Sequence, residues 1–154
     1  MSEDTHRHDR LRVLLVDDNE LMLECAIGTL SSSACVIVGA LRDGKAALEW
    51  IGAVQPDVVV LDISMPGMTG LEVASHLRRS GSTVPIVFLT VHDDEEFVRA
   101  AYAAGATGYV LKRRLTTDLL TAIVEACAGR EWMSPVPALK QSRVLTPVAQ
   151  SRRK

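Results

Sequence analysis

Four apolar runs in this chain of 154 residues end abruptly on polar side chains that could do chemistry. Residues 13–16 run into Asp17-Asp18, Val58–Leu61 into Asp62, residues 85–89 into Thr90, and Gly108–Leu111 into Lys112. If the runs are parallel strands, these side chains gather at one edge. Two carboxylates about 4 Å apart repel by about 4 kcal/mol at an effective dielectric near 20, so three of them call for a cation. Oxygen-only ligands with room for water suit Mg²⁺. Zn²⁺ is disfavoured, because apart from His92 no Cys or His lies at these ends. Lys112 adds a fixed positive charge and Thr90 a hydroxyl donor. A carboxylate in that company is equipped to accept a phosphoryl group, with Asp62 as the nucleophile. A single strand-end Asp starts a turn as often as it does chemistry; here it is the convergence that argues for function. The chain has no G-x-x-x-x-G-K-[ST] loop for a nucleotide.

The elements that must position these residues are legible as alternating strands and helices. The central stretch, residues 58–70, reads VVVLDISMPGMTG. Its β-formers, bounded by Pro66 and Gly67, predict a strand buried on both faces. Such a strand ends where open α/β sheets bind ligands. Upstream, residues 13–16 form a strand and residues 21–30 a helix, with Leu23, Ile27 and Leu30 on one side and Asp18 or Asn19 as cap. Cys35–Leu41 is a second strand, and Asp43-Gly44 leads into a helix over 45–51, with Ala46, Ala47 and Trp50 near its packing face. Gln55-Pro56 breaks the chain before the central strand, and a helix over 71–79 follows it. After the strand at 85–89, His92-Asp93-Asp94 opens a helix with acids at its positive end. That helix closes at Gly105. Gly108–Leu111 is the fifth strand, and residues 116–128 make an amphipathic helix carrying Leu119, Leu120, Ile123, Val124 and Cys127. Five βα units predict an α/β fold: a flavodoxin-like, doubly wound, five-stranded parallel sheet of order 2-1-3-4-5 with five helices.

Composition sets the remaining bounds. The length suits one domain whose core needs no staples. A hydrophobic fraction of 47% with only 4% aromatics points to Val, Leu and Ala packed between helices and sheet. A net charge of -2 gives no global argument for nucleic acid or membrane. Cys25, Cys35 and Cys127 lack C-x-x-C spacing and lie in apolar stretches, so buried reduced thiols are expected. Residues 1–10 read as a disordered N-terminal arm, on which His6 and His8 are solvated rather than ligands. With no signal segment and no apolar run of membrane-spanning length, a cytoplasmic location is expected. Residues 131–154 hold Pro135, Pro137 and Pro147, with Lys140, Arg143, Arg152, Arg153 and Lys154 against Glu131. That composition predicts a basic linker or mobile tail without an output domain. Lacking aromatics or a reading helix, it predicts no sequence-specific nucleic-acid binding.

Together, Asp17-Asp18, LDISMPGMTG around Asp62, FLT at 88–90 and GYVLK at 108–112 closely resemble the receiver domain of two-component response regulators, over residues 11–130. VDDNE, HDDEEFVRAAYAAGATGYVLK and GREWMSP are most similar to receivers that precede a LuxR-type helix-turn-helix. The resemblance implies that Asp62 takes a phosphoryl group from a sensor histidine kinase or phosphotransfer protein. It implies Mg²⁺ held directly by Asp18 and Asp62, through water by Asp17, and by the Ser64 backbone carbonyl. Thr90 would hydrogen-bond the phosphoryl group and Lys112 pair with it. Tyr109 would be a switch aromatic, turning into space vacated as the Thr90 loop moves. Such a domain catalyses its own phosphorylation and dephosphorylation but is not otherwise an enzyme. Alone, Tyr109 would read as a strand tyrosine with its hydroxyl at the surface.

The chain departs from that family in several places. Val91 follows Thr90 where small residues are common, which implies narrower access and slower turnover. Arg113-Arg114 stand where a proline often follows the lysine; a cis bond there without proline would cost about 2.5–4 kcal/mol. Ser64 and His92 occupy positions that tune phosphate lifetime in the family, though His92 itself reads as a solvent-facing loop residue rather than a general base. In related regulators a segment like residues 144–147 opens the helix-turn-helix domain. One alternative is therefore the receiver part of a DNA-binding transcriptional regulator whose helix-turn-helix is truncated or lost. A further alternative, a Mg²⁺-dependent phosphohydrolase, is disfavoured because Ser64 replaces the second Asp of such enzymes. A homodimer stays open, since the helices at 93–104 and 116–128 show no apolar stripe beyond what the sheet buries.

Overall fold

The computed structural model describes residues 10–31 and 34–136. Its strands are β1 (Leu11–Val16), β2 (Cys35–Leu41), β3 (Val58–Leu61), β4 (Ile86–Thr90), β5 (Gly108–Leu111) and β6 (Trp132–Met133). Its helices are α1 (Glu20–Leu30), α2 (Gly44–Val54), α3 (Gly70–Arg79), α4 (Glu95–Ala103) and α5 (Leu115–Cys127), with a 3₁₀ turn at Lys112–Arg114. All strand pairs are parallel, in the order β2-β1-β3-β4-β5-β6. The five βα units and the order 2-1-3-4-5 stand as expected.

The continuous apolar runs are explained by two cores sharing one sheet. Side chains alternate across a strand, so Leu14, Val16, Val59, Leu61, Ile86 and Phe88 face α2, α3 and α4. Val13, Leu15, Val58, Val60, Val87 and Leu89 face α1 and α5. Helix starts follow local side-chain chemistry. Asn19, not Asp18, caps α1 by accepting from the Leu21 and Met22 amides, and Asp43 caps α2 through Ala46. Thr69 and Glu72 form a reciprocal capping box on α3.

Several expectations are corrected. A sixth strand is present, because Trp132–Met133, in a stretch read from sequence as linker, pairs with β5. The backbone N–H of Ser134 donates to the Tyr109 carbonyl at 2.8 Å. The Ser134 hydroxyl accepts from the Leu111 amide at 3.1 Å and donates to Asp118 at 2.7 Å. Asp118 is buried yet satisfied, with Arg114 and Thr117 as further donors. Cys25 is exposed and Cys127 half-buried; only Cys35 fits the buried-thiol reading, and all are free. Cys25 falls on the outer side of α1, next to the buried Leu23 and Ala26 but turned away from them. Trp50 is 39% exposed rather than packed inward. It lies over edge strand β2, its indole N–H donating to the Val38 carbonyl at a β-bulge. Helix α4 starts at Glu95 rather than at His92. Arg10, assigned to the arm, donates to the Cys35 carbonyl. His6, His8 and the tail beyond residue 136 lie outside the described residues. Among the described residues, no peptide bond is cis, and no helix is long and apolar enough to cross a membrane.

Gly70 opens α3 directly under the loop that carries Asp62, and a Cβ there would strike the Asp62 carbonyl oxygen. Gly52, inside α2, has open space around it. Gly70→Ala should therefore cost about 2 kcal/mol or more, whereas Gly52→Ala should stabilise by about 0.5–1 kcal/mol. Urea titration followed by circular dichroism measures both, and equal stabilities would contradict the close approach at Gly70.

Candidate functional site

The parallel sheet brings the polar strand ends together, and backbone bonds beyond the strands hold them there. The Asp17 amide donates to the Leu41 carbonyl and the Asp62 amide to the Val16 carbonyl, each at 3.0 Å. Carboxylate oxygens of Asp17, Asp18 and Asp62 lie within 4.8 Å of one another. Asp17 and Asp62 are buried, while Asp18 is half-exposed and opens the cluster to water. Its carbonyl accepts from the Arg42 guanidinium, which holds the loop in place.

Lys112, starting the 3₁₀ turn after β5, places Nζ 2.8 Å from Asp17 Oδ2 and 3.3 Å from Asp62 Oδ2. Asp17 Oδ1 accepts from the Asn19 amide at 2.8 Å. Asp17 Oδ2 is buried with the Lys112 ammonium as its close polar neighbour, an ion pair that leaves acceptor capacity on this oxygen unfilled among the described residues. Burial pushes the Asp62 carboxyl up to about 6, and the Asp17 charge adds to the rise. Lys112 and a backbone hydrogen bond from Ser64 oppose it. Burial pulls Lys112 down, but its bonds to Asp17 and Asp62 outweigh that and leave it above its ordinary value. One ammonium thus faces a cluster of three carboxylates. The all-oxygen donor set, the unfilled acceptor capacity of the buried Asp17 oxygen and the water-accessible Asp18 fit a small, hard divalent cation.

Thr90 is fully buried at the end of β4, and its Oγ1 accepts from the His92 amide at 3.2 Å. That leaves the hydroxyl proton free to donate. Tyr109 is also fully buried, and its hydroxyl donates to the His92 carbonyl at 2.7 Å. Burial raises its pKa, as do the nearby charges of Asp94 and Asp93. The surface-hydroxyl reading of Tyr109 is corrected: the ring already fills the inward space, where its hydroxyl finds a carbonyl partner.

His92 is the residue whose environment sequence reasoning missed. Its Nε2 lies 2.7 Å from Ser64 Oγ, and its ring stacks on Phe97 with centroids 3.8 Å apart and planes 10° apart. It is a half-buried junction rather than a solvent-facing loop residue. Spacing alone could not reveal a bond between two loops 28 residues apart. Val91, by contrast, is 66% exposed and stands at the surface beside Thr90. Arg113 pairs with Asp93 at 3.4 Å, joining the 3₁₀ turn to the loop before α4.

The Asp62 shift has a stability consequence in metal-free protein. A carboxyl whose folded pKa lies above its unfolded value favours folding in its protonated form, fully so below about pH 4. That contribution disappears as pH rises through about 6. Asp62→Asn should therefore be the more stable form at neutral pH in a chelator, by about 3 kcal/mol. The advantage should vanish below about pH 4. Thermal melts of both proteins across this window measure the difference, and a constant gap would rule out the raised Asp62 pKa as its source.

Residues 13–124 match the family model described as the response regulator receiver domain. The chain is 37% identical over 128 residues to the probable transcriptional regulatory protein NarL of Mycobacterium tuberculosis, an alignment covering 82% of this chain and 59% of that protein. It is also 37% identical over 142 residues to the nitrate/nitrite response regulator protein NarL of Escherichia coli, covering 87% and 65%. The chain thus spans about six-tenths of the length of these curated relatives. Among solved structures, the signal receiver domain of the putative response regulator NarL from Mycobacterium tuberculosis superposes with a TM-score of 0.76 at 36% identity, over 79% of this chain and 99% of that one. A LuxR-family two-component response regulator from Aurantimonas sp. gives a TM-score of 0.78 at 29% identity, over 94% and 99%. With its strand order, its acidic edge and these likenesses in agreement, the chain belongs to the response regulator receiver domain family.

Proposed function

We propose that Asp62 accepts a phosphoryl group from the phosphohistidine of a sensor histidine kinase or phosphotransfer protein, and that the modification switches a protein-interaction surface. An Asp62 oxygen forms the new P–O bond as the P–N bond to the donor histidine breaks, and the imidazole leaves with the electron pair. Asp17, Asp18, Asp62 and the Ser64 carbonyl are the residues that would hold Mg²⁺. When bound, the ion supplies positive charge against the phosphoryl oxygens. Lys112 supplies the same from the other side through its ammonium, and the Thr90 hydroxyl donates to a phosphoryl oxygen. The single observation that carries this reading is the buried Asp62 carboxyl clustered with Asp17 and Asp18 and matched by the one ammonium of Lys112. That arrangement leaves negative charge waiting for a cation.

The names of the curated relatives favour one extension. Because NarL of Mycobacterium tuberculosis is a probable transcriptional regulatory protein, we read this domain as the receiver part of such a regulator. DNA contacts would then come from outside the described residues. A phosphohydrolase remains the weaker reading, since Ser64, bound to His92, offers no carboxyl acid two residues after Asp62. Gel-shift selection from a random duplex pool is expected to yield no motif for this chain, phosphorylated or not.

The direct test is intact mass after incubation with acetyl phosphate and Mg²⁺. Wild type should gain one phosphoryl group, Asp62→Asn none, and Lys112→Ala should reach a yield about tenfold lower while still folding. Chelation should abolish the gain. A phosphoryl group on Asp62→Asn would place the acceptor elsewhere.

A further inference from the structure

Strand β6 is more than an extra rung on the sheet, because its attachments converge on the strand that carries Tyr109 and leads into Lys112. Ser134 is fully buried. Its amide binds the Tyr109 carbonyl, and its hydroxyl bridges the Leu111 amide to Asp118 on α5. On the opposite side, the Tyr102 hydroxyl of α4 donates to the Trp132 carbonyl at 3.1 Å. Met133 and Val136 pack on the core cluster that contains Tyr109, and Val136 is 3% exposed. The segment therefore ties α4, β5 and α5 together at the edge of the sheet, with Met133 the register partner of the buried tyrosine. It leads into residues 137–154.

A second chain of contacts runs from Tyr109 toward the acidic cluster. The Tyr109 hydroxyl holds the His92 carbonyl, and the His92 amide holds Thr90 Oγ1. A hydroxyl that donates to a phosphoryl oxygen becomes a better acceptor through the same oxygen, since bonds in a chain polarise one another. Phosphoryl binding at Thr90 would therefore strengthen its hold on His92 and keep the Tyr109 partner in place. Tyr109 already stands inward without a phosphoryl group, so something else in the fold must favour that position. The packing of Met133 and Val136, with the Ser134 bonds behind it, is what the structure offers.

We propose that residues 132–136 form a strap that holds Tyr109 inward, so that phosphoryl binding at Asp62 and attachment of the C-terminal strap favour one another. This inference rests on Asp62 being the phosphoacceptor for one of its two halves only. The hold of the strap on Tyr109 is a property of the unmodified chain. Coupling of this kind is reciprocal: whatever loosens the strap weakens phosphoryl binding by the same factor.

The experiment combines hydrogen–deuterium exchange of the peptide covering residues 131–136 with intact mass in the same samples of the full chain. In wild type, acetyl phosphate with Mg²⁺ should slow exchange at Trp132 and Ser134, the amides bonded to the β5 side, in the phosphorylated fraction by about threefold or more, the effect of roughly one strengthened hydrogen bond. A gain of mass with unchanged exchange would overturn the coupling while leaving the phosphoacceptor reading intact. The second arm needs no phosphate. The chain has two tyrosines, so in Tyr102→Phe the only one left is Tyr109. Nitration by tetranitromethane then reports its accessibility directly. Tyr102→Phe, which removes one bond to the strap, should speed both strap exchange and Tyr109 nitration by about threefold to tenfold over wild type. Ser134→Ala should do the same more strongly, with nitration of Tyr109 mapped by peptide mass. If strap exchange rises in either folded variant while Tyr109 nitration stays at the wild-type rate, the strap does not hold the tyrosine and the inference fails. If acetyl phosphate adds no mass at all, the phosphoacceptor reading fails, and the nitration arm alone decides the hold on Tyr109.

Discussion

Three carboxylates facing one ammonium at the edge of a parallel sheet form the constraint around which this domain is built. Two of the three are buried, and burial has already pushed Asp62 upward against its natural ionisation. An edge of this kind is unfavourable unless something positive completes it, and Lys112 completes it only in part. The surrounding backbone is arranged to keep the carboxylates in place despite the repulsion. Ladder bonds continue past β1 and β3 to fix Asp17 and Asp62, and Gly70 lets α3 begin against the Asp62 carbonyl. The capping box at Thr69 and Glu72 then supplies acceptors to two amides at the start of that helix. Stability given up at the edge is recovered in the two apolar layers beneath it, where β3 and β4 are buried at every position.

Around the acidic cluster, His92 links pieces of structure that would otherwise move separately. Its amide, carbonyl and imidazole are each held by a different hydroxyl, from Thr90, Tyr109 and Ser64 in turn. Phe97 braces the ring from α4. A change at the phosphoryl position has few soft directions in which to dissipate, because close-packed interiors shift between discrete arrangements rather than deforming smoothly. The network continues past Tyr109 into β6 and Asp118. The half of the sheet formed by β4, β5 and β6 is therefore cross-linked by polar bonds, whereas β1 packs on α1 through apolar side chains. Trp50 closes the far edge by covering the bulge at Val38.

Much of this was determined by the sequence alone. Apolar runs of four or five residues bounded by turn signals and alternating with helical segments read as strands buried on both faces, the pattern of a parallel sheet covered by helices. Parallel strands then gather Asp17, Asp18, Asp62, Thr90 and Lys112 at one edge, and right-handed crossovers leave a doubly wound sheet, of which the order 2-1-3-4-5 is one choice. Tertiary structure decided what depends on contacts between loops distant in the chain. The Ser64–His92 bond joins separate loops, so no local spacing encodes it. Trp132–Met133 carries no strand signal of its own; two residues become a strand only because β5 offers a free edge and Asp118 a buried partner for Ser134. Tyr109 shows the same division. Its place on β5 is written in the alternation of the strand, but whether its hydroxyl meets water or the His92 carbonyl depends on where α4 and the strap close over it.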